Sequence, residues 1–243
     1  MKFNSVKGAY DLPHMVIKTQ ISKLLNSVNS IHNNGLLHLS LCDISNYVVI
    51  NNNWYIINVG GTLNQRNRQL MVTKDFESFG NMLKTHVLLD TSWRESNDFL
   101  NTLANVSNAN VCPNRLVQIL LDNAFFKSSY ERLQTFSEIH HGWVDRRRSC
   151  RMLNNAISSG AFNCYITNGG WDHVPMSYVL SQVYWYQNSP ANNKYDGQQI
   201  TSLMRFCRNV FEHYHQYRGN VNLIENEMRR LWPGFLETLL YYY

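Results

Sequence analysis

Seven apolar residues near the C-terminal end constrain the fold more than anything else in this chain. Ile200, Leu203, Met204, Cys207, Val210, Phe211 and Tyr214 follow the spacing i, i+3, i+4, i+7, i+10, i+11, i+14. Only a helical repeat gathers such positions on one stripe, so the spacing predicts an amphipathic helix over about 197–216 with that stripe in a core. Arg205, Arg208, Asn209 and Glu212 then fall on the opposite stripe. His213 stands one turn after Asn209, so these two side chains can converge on one ligand. Arg208 and His213 are separated by about 140° around the helix, and flank a site rather than stack on each other. A solvated polar face explains Arg205 and Glu212. For Arg208, Asn209 and His213 the spacing fits either that face or a group that handles phosphate and protons.

The rest of the chain divides in two by pattern. Up to about residue 127 helical and strand signals mix. Periodic apolar residues predict helices near 13–33, 74–88, 95–105 and 111–126. Short strands are expected at 36–41, 47–50 and 54–59, with Asn51-Asn52-Asn53 as a hairpin turn and a polar loop from Gly60 to about Thr73. From Tyr130 onward strand signals vanish, and helices are expected near 128–140, 145–158, 175–187, 197–216, 221–230 and 233–241. This gives a mainly α chain with two domains, residues 1–127 and 128–243. No long flexible linker separates them.

Composition narrows the function classes. A chain of 243 residues with 44% hydrophobic content can bury a sizeable core. The net charge of +5 gives a mild bias toward polyanions. The five cysteines are odd in number and have no CxxC spacing, which argues against a disulfide framework or a zinc site. With no signal-peptide pattern and no long apolar run, a cytoplasmic protein without membrane contact is expected.

Two resemblances sharpen these expectations. Ile31-His32-Asn33-Asn34-Gly35-Leu36-Leu37-His38 resembles the approach to a protein-kinase catalytic loop, and Asn58-Val59-Gly60 stands where that family has Asp-Phe-Gly. Asp75, Ser78 and Gly80 match the DxxSxG of the long kinase-lobe helix, and Cys112-Pro113 to Phe125-Phe126 resembles the last kinase helix. The catalytic parts are missing, however. Ser40 replaces the loop aspartate, Cys42 the loop lysine and Asn58 the magnesium-binding aspartate, and Asn46 is one residue too far from His38. No glycine-rich loop or strand lysine precedes them. Phosphoryl transfer needs those parts together, so residues 1–127 are expected to be a degenerate kinase C-lobe without its N-lobe and without kinase activity.

The second half resembles the kinase-extension nuclease (KEN) family, an all-helical ribonuclease domain that follows a kinase C-lobe directly. The family signature is Arg-Asn with histidine five residues after the arginine and tyrosine thirteen before it. Arg208-Asn209, His213 and Tyr195 match it, and Trp171 falls near a tryptophan the family places upstream. The tail Trp232-Pro233-Gly234-Phe235-Leu236 resembles the family's final helix.

The resemblance implies an endoribonuclease that needs no metal or other cofactor. A ribose 2′-hydroxyl attacks the adjacent phosphate and leaves a 2′,3′-cyclic phosphate. His213 is then the candidate general acid, because histidine ordinarily titrates near the working pH. Arg208 is the phosphate clamp and Asn209 a positioning donor. Tyr195 stands on the 2′-hydroxyl side, a poor base unless a cation such as Arg208 lowers its pKa. Trp171 is either a base-stacking residue or a core tryptophan. Arg146-Arg147-Arg148 is either an RNA-backbone patch or a solvated helix face. The implied partners are an RNA substrate, not DNA, and a second KEN chain in a homodimer or heterodimer. The alternative function is a catalytically silent regulatory partner or decoy of such an enzyme.

Overall fold

The computed structural model describes residues 15–89, 94–106, 113–145, 150–166, 169–187 and 194–243. The chain divides between Phe126 and Lys127 into two compact units, and helices dominate both.

In the first unit α1 (Met15–Asn33) buries Ile17, Ile21, Leu24, Leu25 and Val28, the stripe that the periodicity picks out. It stops at Gly35, whose φ of 73° suits glycine at a helix C-terminus. Two small antiparallel pairs follow. β1 (Leu36–Leu37) pairs with β4 (Gly61–Thr62), and β2 (Tyr47–Ile50) with β3 (Asn53–Ile56). Asn51 and Asn52 both take positive φ, 49° and 61°, as the tight turn of a two-residue hairpin requires.

The helix α2 (Arg68–Met82) starts earlier than the expected residue 74. Gln69 and Leu70 are exposed, so its first turn carries no apolar period to read. α2 runs on into a π-helical turn at Leu83–Val87. The next helix, α3 (Arg94–Ala104), comes so close to α2 that a Cβ at Gly80 would sit 3.0 Å from Leu103 Cβ. α4 (Pro113–Leu121) ends before the expected residue 126. The two phenylalanines beyond it pack on Phe99, with ring centroids 4.8 and 5.1 Å away.

The second unit has helices and no strand among its described residues. Its helices are α5 (Ser129–Val144), α6 (Arg151–Ser158), α7 (Tyr178–Gln187), α8 (Ile200–His213), α9 (Val221–Leu231) and α10 (Phe235–Tyr242). A reciprocal capping box between Ser128 and Glu131 starts α5. The helix expected from residue 145 begins only at Arg151, because α5 itself continues to Val144. α8 tightens into a 3-10 turn at Tyr214–Tyr217, closed by Arg218 with φ 54°. A buried ion triad ties three helices together. Arg132 of α5 donates from Nε to Glu225 of α9 at 2.6 Å and from Nη2 to Glu237 of α10 at 3.0 Å. No described helix is long and apolar enough to cross a membrane.

Candidate active site

The helix that carries the candidate residues is enclosed more widely than its apolar stripe predicts. Ile200, Leu203, Met204, Cys207 and Val210 are buried as expected, but so are Phe206 and Asn209. Asn209 therefore does not share a solvated stripe with Arg205 and Glu212. Phe206 is the reason. Its ring meets Trp171, Tyr195 and Trp232 at centroid distances of 5.3, 5.6 and 5.8 Å, and forms an aromatic core on a second side of α8.

Trp171 is the hinge pin of that core. It is 1% exposed, so no base can stack on it, and the RNA-contact role is corrected to a structural one. Its backbone N–H donates to the Gly197 carbonyl and its indole N–H to the Asp196 carbonyl, both at 3.0 Å. Its own carbonyl accepts from Trp232 Nε1 at 3.2 Å. The approach is close enough that a Cβ at Gly197 would collide with the Asp172 carboxylate. Trp171 thus fixes the segment that presents Tyr195.

Tyr195 is buried, and its hydroxyl oxygen accepts from Asn209 Nδ2 at 2.7 Å. This bond joins two of the four residues of the tyrosine–arginine–asparagine–histidine pattern. Tyr184 stacks on Tyr195 with ring centroids 5.5 Å apart. Arg205 places its guanidinium carbon 4.6 Å from the Tyr195 ring centroid and donates to the Lys194 carbonyl at 2.8 Å. Arg205 is therefore part of the site wall rather than a solvated residue. Burial pushes the Tyr195 phenol up to about 12, and the Asn209 bond and the charges of Arg205 and Arg208 offset this only in part. Arg208 lowers it, but by less than burial raises it, so the condition for a tyrosine base is not met. Tyr195 stays a neutral hydroxyl.

Arg208 is engaged by a carboxylate. Its Nη1 donates to Glu212 Oε2 at 2.6 Å, one helical turn away. The other Glu212 oxygen faces α5, with His141 Nε2 at 3.3 Å and Ser137 Oγ at 3.4 Å. Glu212 is thus a hub between α5 and α8. Beside it, His140 is buried, and burial together with the charges of Arg208 and His141 brings its imidazole down to about 4. Three buried polar atoms here have no hydrogen-bond partner: Arg208 Nε, Asn209 Oδ1 and His140 Nδ1. Ser137, His140 and His141 carry no signal in the sequence, because it does not reveal that α5 packs on α8. The Arg208–Glu212 spacing was readable as an i,i+4 pair.

His213, the last residue of α8, is only half-buried. Its Nδ1 lies 3.0 Å from Gln216 Nε2, and its ring lies 6.2 Å from that of Tyr186. The fold brings Tyr195 and Asn209 into contact and holds Arg208 beside them, while His213 stands at the rim. Arg146, Arg147 and Arg148 lie outside the described residues.

In the first unit, Asn58, Asn46 and Ser40 form a closed, uncharged chain. Asn58 Nδ2 donates to Asn46 Oδ1 at 3.0 Å, and Asn46 Nδ2 donates to the Ser40 carbonyl at 2.9 Å. Asp75 is turned to structure instead. It accepts from the backbone N–H groups of His38 and Leu39, and lies 3.0 Å from His32 Nε2. Among the described residues no cluster of three or more His, Cys, Asp or Glu side chains is arranged to hold a metal ion. Compared with known protein families and with curated proteins, the sequence matches none.

Proposed function

We propose that this chain is an endoribonuclease of the KEN type carried on a degenerate kinase C-lobe. The observation that carries the reading is the buried Asn209–Tyr195 hydrogen bond beside Arg208. Residues that the sequence separates by fourteen positions meet in one buried pair.

The chemistry follows from the side chains. The substrate 2′-hydroxyl attacks the adjacent phosphorus and releases its proton to solvent water, so a P–O2′ bond forms while the P–O5′ bond breaks. Tyr195 is neutral and cannot serve as the base. It orients the nucleophile through its hydroxyl, held in place by Asn209. His213 at the rim gives its proton to the departing 5′-oxygen. Arg208 balances the charge that builds on the phosphate oxygens. To do so it exchanges Glu212 for phosphate, and Glu212 keeps partners in His141 and Ser137 when it lets go.

The Arg208–Glu212 bond also favours a second reading. A chain whose arginine never leaves its carboxylate would be a silent partner of an active relative. End-group analysis separates the two. Incubation with RNA leaves 2′,3′-cyclic phosphate and 5′-hydroxyl ends in the enzyme reading, and a strand with 2′-deoxyribose throughout stays intact. An unaltered RNA strand, under conditions where the protein binds it, supports the silent partner.

A further inference from the structure

Glu212 divides its carboxylate between two helices. On α8, its Oε2 accepts from Arg208 Nη1 at 2.6 Å. On α5, its Oε1 lies 3.3 Å from His141 Nε2 and accepts from Ser137 Oγ at 3.4 Å. Ser137 Oγ also lies 3.4 Å from His141 Nδ1, so Glu212, His141 and Ser137 close a triangle. Helical residues four apart share a face, and the packing of α5 on α8 brings that face across to Glu212. Glu212 therefore has donors on both sides. Arg208 does not have the matching choice. Among the described residues its side-chain hydrogen bond goes to Glu212. The Arg208 and Glu212 side chains keep 25% and 28% of their surface exposed, so an anion can reach the pair without opening the core.

We propose that His141 is a positioning residue that sets how readily Arg208 leaves Glu212 for an RNA phosphate. This rests on the ribonuclease reading above and names what controls its clamp. Carboxylate and phosphate both fit the planar guanidinium fork, so they compete for Arg208. A carboxylate with a single cation beside it loses its main partner when that cation turns away, which is costly. A carboxylate that already accepts from a second helix stays paired. The α5 donors thus bias the competition toward phosphate. With His141 gone, α5 supports Glu212 through the neutral Ser137 hydroxyl alone, and Arg208 is held back. The His141 side chain is 49% exposed, so its truncation removes the contact with Glu212 without opening a core cavity.

The test uses the full chain and a fluorescent RNA strand with 2′-O-methyl sugars, which cannot be cleaved by its own 2′-oxygens. Fluorescence anisotropy is expected to show about tenfold weaker binding by His141→Ala, a loss of the size that coupled neighbours show. His141→Lys keeps a cationic donor beside Glu212 and binds like the wild type. In a Glu212→Gln background the His141→Ala change has no effect, because no carboxylate is left to hold Arg208. Arg208→Ala weakens binding in both backgrounds. A purely structural role for His141 between α5 and α8 predicts the same loss with and without Glu212, and that result overturns the proposal. So does a loss as large in His141→Lys as in His141→Ala. Wild-type affinity in His141→Ala or in Arg208→Ala overturns it too, as does a wild type that binds no RNA. Cleavage of an ordinary RNA strand is measured in parallel. Coupled binding without cleavage keeps the positioning role and sinks the ribonuclease reading. Cleavage without the coupling sinks the positioning role alone.

Discussion

Arg208 illustrates how a single residue can be both held and available. A phosphate clamp left in solvent would sample many orientations, whereas the Glu212 carboxylate fixes its guanidinium at one end of the site. The neighbour that makes this costly is His140, whose imidazole is forced neutral by burial and by the charges of Arg208, His141 and Arg205, with Glu212 alone opposing them. The consequence for stability has a definite sign. A histidine depressed from 6.5 to about 4 contributes stability above pH 6.5 and loses it as the pH falls through about 4. Urea unfolding of the wild type is expected to weaken steeply between about pH 6.5 and 4, and His140→Gln to flatten that dependence. An unchanged slope in the variant would show that other groups dominate the acid limb.

At the scale of elements, the second unit is a set of helices that pin one segment. Trp171 holds residues 195–197 by two backbone carbonyls, and Trp232 holds Trp171. Trp171→Phe keeps an aromatic ring but removes the indole hydrogen bond to the Asp196 carbonyl, which costs roughly 1 kcal/mol. The variant is expected to lose that much in denaturant unfolding. On the proposed ribonuclease reading its RNA cleavage is expected to fall as well, although Trp171 touches no substrate, because Tyr195 loses its support. Intact cleavage in a destabilised Trp171→Phe would place the pin outside the site.

Most helices were legible because the core of each unit imposes a period on them, as in α1 and α8. The first turn of α2 was not, since exposed Gln69 and Leu70 leave no period to detect. The site was legible where chemistry sits on one helix, as with Arg208 and Asn209. It was hidden where two helices must meet, as with His140 of α5. Asn209 itself was assigned to the wrong face, because the apolar stripe gives no sign that Phe206 opens a second core behind it.

At the scale of the whole molecule, the two units differ in what their polar groups do. In the first, Ser40, Asn46 and Asn58 close on one another and Asp75 braces a loop, so the uncharged chain offers no carboxylate for nucleotide-bound metal. In the second, Tyr195 and Asn209 are joined by a buried hydrogen bond with Arg208 beside them. Chemistry is therefore expected from the second unit. The KEN resemblance also implies that two chains act together. Sedimentation and activity measured over the same dilution series should fall together, with specific activity lost as dimer gives way to monomer. A monomer with full activity would contradict that implication.

The most direct measurement incubates the purified chain with a stem-loop RNA in EDTA, beside a His213→Ala variant. The account predicts cleavage by the wild type with cyclic-phosphate ends, and a loss of at least about a hundredfold in the variant, the usual scale of a missing general acid. Equal cleavage by both proteins, or none by either where the wild type is dimeric, would contradict it.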